Sequence, residues 1–117
     1  MDEEIRLRVV FFKTGSEKEP VRDWLNGLGH KDRKKIGEDI KTVQFGWPLG
    51  MPLVRKLDAD LWEVRSHLHK RIARVIFTVQ DDIMVLLHGF IKKSQKTPSA
   101  DLKTAKKRLA QLKDNQS

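Results

Sequence analysis

An α+β domain built from an N-terminal strand, a helical hairpin, a three-stranded antiparallel meander and a C-terminal helix is the fold this sequence predicts. Three observations lead there. The runs "LWEVRSH", "RIARVIFTV" and "IMVLLHGFI" are rich in β-branched and aromatic residues and are separated only by "LHK" and "QDD"; connections that short force neighbouring strands to be antiparallel. Elsewhere apolar residues recur at helical spacing. A chain of 117 residues at 38% hydrophobic is long enough for one core and too short for two, so residues 1–117 form a single domain.

The elements follow in order. Residues 6–14, "RLRVVFFKT", read as the first strand, ending at Gly15. Ser16 with Glu19 three residues later has the capping-box spacing, and Pro20 suits a first helical turn. Val21, Trp24, Leu25 and Leu28 then form one apolar stripe, with Gly27 and Gly29 marking the end. Ile36, Ile40 and Val43 predict a second helix that stops at Gly46, and the pair is expected to pack on the sheet through Trp24, Leu25, Ile36 and Ile40. Residues 46–60, "GWPLGMPLVRKLDAD", carry two prolines and two glycines and read as an irregular loop laid over the core.

The meander occupies residues 61–67, 71–79 and 83–91, and the N-terminal strand is expected to join it in a four-stranded sheet. Its last strand is apolar at nearly every position until His88, the pattern of a strand covered on both faces. Thr97 as N-cap, Pro98 in the first turn and Leu102, Ala105, Leu109 and Leu112 predict the final helix, with Lys106, Lys107 and Arg108 toward its negative end.

Charge narrows the function. The formal net charge of +8 points to a polyanionic partner. With no cysteine there is no disulfide frame and no thiolate metal site, which suits a reducing cytoplasm. The start, "MDEEIRLRVVFFKTG", has acids where a signal peptide needs bases, and no apolar run reaches membrane-spanning length, so a soluble cytoplasmic protein with no membrane partner is expected.

The chemistry-bearing stretch is "HGFIKKSQKTP", which places His88, Phe90, Lys92, Lys93 and Lys96 in close succession. Strand register adds two more cations. If His69 and Lys70 form a two-residue turn, Leu68 faces Arg71 and Arg65 faces Arg74, and directly opposed like charges are destabilising unless an anion lies between them. If Asp81 and Asp82 also form a tight turn, Arg74 falls opposite Gly89 and His88, Phe90 and Lys92 go to the other face. A bulge at Gly89, or a three-residue turn, reverses that parity and unites the set. Most carboxylates precede the meander, and Glu63, Asp81 and Asp82 are scattered, so neither a metal nor another cofactor is expected. The pair His67 and His69 lacks a third ligand nearby.

Residues 61–109, which contain "LWEVR", "RIARV" and "LLHGFIKKSQKTP" followed by the helix of "LKTAKKRL", resemble the phage-derived toxin-like branch of the RelE/HigB superfamily. The most specific part is "LLHGFIKKSQKTP"; the first half of the chain matches mainly in its order of elements. The resemblance implies a RelE-like fold and the toxin of a type II toxin–antitoxin pair. Many such toxins cut messenger RNA in the ribosomal A site without a metal, using the RNA 2′-hydroxyl as nucleophile. The partners implied are a cognate antitoxin covering the basic face, the ribosome and its messenger RNA, and DNA only through the antitoxin.

On that basis Arg65, Arg74, His88 and Lys92 are the candidate catalytic residues, with Phe90, Lys93, Lys96, Lys70 and Arg71 as RNA contacts. Phe90 occupies a position where relatives often carry a ring that stacks on a base. The chain has no tyrosine, so no phenol serves for proton transfer and the general base stays open. The same superfamily fold also carries toxins that poison DNA gyrase without cutting RNA. A non-enzymatic inhibitor and a basic nucleic-acid-binding module are the alternatives.

Overall fold

The computed structural model of the chain describes residues 6–92 and 96–115. Its elements in chain order are β1 (Arg8–Phe11), α1 (Pro20–Asn26), α2 (His30–Gly46), β2 (Val54–Asp58), β3 (Leu61–Leu68), β4 (Arg71–Gln80), β5 (Ile83–Lys92) and α3 (Ser99–Asp114). All strands join one five-stranded sheet in the order β1-β5-β4-β3-β2. β1 runs parallel to β5, and the other neighbours are antiparallel. Among the described residues no helix is long and apolar enough to cross a membrane.

The sheet therefore has five strands and not four, because β2 lies within the segment 46–60 that the sequence presents as irregular throughout. Three of its five residues are charged, as suits an edge strand, and a register shift between Lys56 and Asp58 breaks the alternation that would have announced it. The earlier part of the segment does lie over the core. Trp47 meets Trp62 and Phe77 edge-on, with ring centroids 5.1 and 5.6 Å apart.

Each face of the sheet carries its own helical layer. α1 lies against β5 and α2 against β3, where Val21, Ile36, Ile40 and Val43 bury onto Val64, Val75, Phe77 and Leu86, with Trp24 and Leu25 at the margin. On the other face α3 sets Ala105 and Leu109 against Ile76, Val85, Leu87 and Phe90. β5 is thus an inner strand covered on both sides, which accounts for its nearly continuous apolar run.

Two helix starts differ from their sequence signatures. Glu19 is the N-cap of α1 and makes no side-chain cap bond; Ser16 is hydrogen-bonded instead to the Thr14 hydroxyl, so the capping box does not form, although Pro20 does open the helix. α3 begins at Ser99 with Pro98 at its N-cap, because the Thr97 hydroxyl is turned toward the sheet. A tertiary partner outcompetes the local cap.

The register of β5 decides which residues share a face. The turns pair Leu68 with Arg71 and Gln80 with Ile83, so both connections are two-residue turns. Phe77 pairs with Leu86 but Ile76 pairs with His88, leaving Leu87 as an inserted residue. The bulge therefore sits at Leu87, two residues before the glycine expected to host it. Gly89 has another role: a Cβ there would lie 2.4 Å from Trp24 Cε3, so only a bare backbone lets the indole of α1 settle on β5.

Gly89→Ala is accordingly expected to lower stability by about 1–3 kcal/mol through overpacking against Trp24. In urea unfolding the midpoint should fall with its slope unchanged, and adding Trp24→Leu should recover part of the loss. An unaltered midpoint would contradict the close approach of Trp24.

Candidate functional site

The site is assembled by strand alternation. Arg65 pairs with Arg74 across β3 and β4, and Arg74 pairs with Phe90 across β4 and β5, so the three form one row over adjacent strands on the α3 side. The Leu87 bulge makes this possible, since it moves His88, Phe90 and Lys92 onto that face. Glu63, two residues before Arg65, shares the face, and Arg55 of β2 pairs with Glu63. One carboxylate thus lies among three guanidinium groups.

Burial gives the cluster its force. Arg74 and Glu63 are 0% exposed and Arg65 only 7%. Arg65 Nε lies 3.9 Å from Glu63 Oε1, while the Thr97 hydroxyl donates to Glu63 Oε2 at 2.9 Å. Arg74 Nη1 donates to the same Thr97 hydroxyl at 3.4 Å, and its guanidinium carbon sits 5.9 Å from the Phe90 ring centre. Desolvation lowers the Arg74 pKa; Glu63 opposes that shift, and the positive charges of Arg65 and Arg55 add to it. Buried opposed arginines are tolerated because Glu63 supplies the anion that their pairing requires.

His88 belongs to a second network on the same face. Its Nε2 is 2.7 Å from Asp101 Oδ1, and Arg108 Nη1 reaches its Nδ1 at 3.3 Å while donating to the Leu87 carbonyl at 2.8 Å. A guanidinium can only donate, so Nδ1 accepts and the Nε2–H tautomer, facing Asp101, is assigned by its partners. Desolvation lowers the Arg108 pKa. Both ring nitrogens of His88 are held by α3, and its ring stacks on Phe90 with centroids 5.6 Å apart. Phe90 itself is buried at 7% exposure.

The family model described as "Phage derived protein Gp49-like (DUF891)" matches residues 23–110, most of the chain and every residue of these two networks. The chain belongs to the Gp49-like family. No curated protein matches it.

In this Gp49-like protein the expected site residues separate into groups. Arg65, Arg74, His88, Phe90 and Lys92 share one face, with Lys92 exposed at its margin and exposed His67 in the row of Ile72 and Lys92, while Lys96 is exposed next to Thr97 in the chain. Arg71 does not join them: it lies on the other face and donates to Asp32 of α2 at 2.7 Å. Lys70 is exposed in the β3–β4 turn, with a left-handed φ of 57°. Lys93 lies outside the described residues. Among the described residues no three His, Asp or Glu side chains come together as a metal site.

Sequence reasoning missed Arg55, Thr97, Asp101 and Arg108 as site residues and treated Glu63 as one scattered acid. Glu63 was legible, since residues two apart on a strand share a face and "EVR" puts its charge beside Arg65. Asp101 and Arg108 are two helical turns apart, which places both on the side of α3 that meets His88. Arg55 was hidden with its strand.

Glu63→Gln should destabilise the protein by about 3–5 kcal/mol, because it leaves buried arginine charge without its carboxylate. Thr97→Val should remove only about 1 kcal/mol. Chemical denaturation of both variants provides the measurement, and a Glu63→Gln protein as stable as the parent would refute the central role given to that carboxylate.

Proposed function

We propose that this Gp49-like protein is the toxin of a type II toxin–antitoxin pair and a metal-independent endoribonuclease acting on ribosome-bound messenger RNA. The row Arg65, Arg74 and Phe90, with exposed Lys92 at its margin, carries the proposal. It is supported by the resemblance of "LLHGFIKKSQKTP" to RelE/HigB toxins and by the net charge of +8. The place of action is the cytoplasm, and the cognate antitoxin restrains the toxin by covering the basic face.

In such a reaction the 2′-oxygen attacks the adjacent phosphorus and the bond to the 5′-oxygen breaks, giving a cyclic phosphate and a 5′-hydroxyl. Arg65 and Arg74 would take the charge that gathers on the phosphate oxygens, a task suited to rigid donor forks in a dry setting. Glu63 is the carboxylate lying against those arginines and would accept the 2′-hydroxyl proton, while Lys92 would protonate the leaving oxygen. His88, gripped at both nitrogens, would orient Phe90 and α3. Arg74 is wholly enclosed, so RNA would reach it only after the side chains around it, Thr97 among them, move.

A second proposal draws on the same burial. Fully enclosed Arg74, covered Phe90 and the engaged nitrogens of His88 suit a fold that inhibits a protein target, such as gyrase, through its surface alone. Primer-extension mapping after induced expression separates the two. New translation-dependent RNA ends are expected, and Arg74→Lys should reduce their rate of appearance by about 10²–10³, as for loss of an oxyanion-hole donor. Antitoxin binding should survive, since it spreads over a wide surface. Growth arrest without new RNA ends would establish the inhibitor in place of the nuclease.

A further inference from the structure

The outer face of α2 points away from the sheet on the side opposite the arginine cluster, and the function proposed above makes no use of it. Residues 31, 34, 35, 38, 41, 42 and 45 fall along that face at spacings of three and four. They supply Lys31, Lys34, Lys35 and Lys41, with Glu38 as the single acid. Lys35 is 3.1 Å from Asp39, and the other three lysines are exposed.

Farther along the stripe the lysines give way to an aromatic ring. Among the described residues Phe45 is half-buried yet belongs to neither apolar core, and Lys41 Nζ stands 5.9 Å from its ring centre. An open pocket of about 480 Å³ adjoins it, lined by Glu38, Lys41, Thr42, Phe45 and Gly46. Among the described residues, a phenylalanine outside both apolar cores, beside an open pocket and at the end of a lysine row, is suited to take a ligand ring.

We infer that this face of α2 is a second nucleic-acid site, which takes one unpaired nucleotide base on Phe45 and the adjoining phosphates along Lys41, Lys34 and Lys31. Stacking on a ring tolerates any base and the lysine row follows a backbone, so the ligand is a single strand without sequence preference, which the function proposed above makes RNA. Charge complementarity selects it: the row is cationic, on a chain of net charge +8, and the pocket offers a flat ring with the Glu38 and Thr42 side chains at its rim. The site does not depend on cleavage at the arginine cluster. With the cluster on the opposite side of the sheet, the protein can be held from one side while it works from the other.

The full-length protein is titrated with a labelled oligouridylate and, in a second arm, with ribosomes free of messenger RNA, each over a range of salt. Phe45→Ala should weaken binding roughly 5- to 150-fold, the loss of one stacked base, and leave the salt slope unchanged. Lys41→Ala should lower the slope of log affinity against log salt by about 0.7, one phosphate contact on a single strand. Loss in the first arm alone assigns messenger RNA to the site, and loss in the second alone assigns ribosomal RNA. Melting should be unchanged in both variants; if Phe45→Ala melts early, the Lys41→Ala slope decides. Native affinity and slope in both arms overturn the inference, as does tighter binding of an acidic peptide than of RNA at this face.

Discussion

The Glu63 carboxylate is the constraint on which the polar half of this molecule depends. Antiparallel pairing of β3 with β4 brings Arg65 opposite Arg74, and pairing of β2 with β3 brings Arg55 alongside. Guanidinium groups so placed, with Arg74 wholly out of water, repel one another strongly unless an anion compensates them. Glu63 supplies that anion from the same strand as Arg65, and the Thr97 hydroxyl ties it to the segment leading into α3. Charge balance in the sheet and the anchoring of the segment before α3 therefore meet at one side chain. Removing the carboxylate alone would strand the arginine charges, whereas apolar replacement of such a whole cluster is often neutral for stability.

A single inserted residue sets which chemistry the sheet can present. Without Leu87, the alternation of β5 would send His88, Phe90 and Lys92 to the side of α1 and α2, and Gly89 to the side of α3. With it, the histidine meets Asp101 and Arg108 and the phenylalanine meets Arg74. The same insertion aims bare Gly89 at Trp24, where a side chain would collide. Bulge, glycine and indole act as one device: the first turns the strand, the second leaves room, and the third fills it.

Much of this was legible in the sequence. The meander, both two-residue turns and the facing of Arg65 and Arg74 follow from strand periodicity and linker length, because those patterns are local. β2 escaped because an edge strand preceded by two prolines and broken by a bulge has no clean period. The position of the β5 bulge escaped because a glycine signals either a bulge or a close approach, and here it marked the latter. Thr97 and Ser16 misled for a shared reason. Each has the spacing of a helix cap, and each finds a nearer partner in the folded chain. The charge balance at Glu63 needed three strands in register before it could be seen.

The parallel pairing of β1 with β5 governs how the chain comes together. Arg8 aligns with Ile83, so β1 waits for β5, with α1, α2 and β2 to β4 between them along the chain. Loop-closure entropy makes such a distant contact a late one, whereas the hairpins of the meander can form locally as they appear. Until β5 arrives, the apolar side chains of Val9 and Phe11 have no neighbouring strand, and a nascent chain is in its most aggregation-prone condition. The row of Arg65, Arg74 and Phe90 needs only the meander of β3, β4 and β5, so it can form before that seam closes. The arginine surface and the β1 seam are therefore completed by different steps of folding.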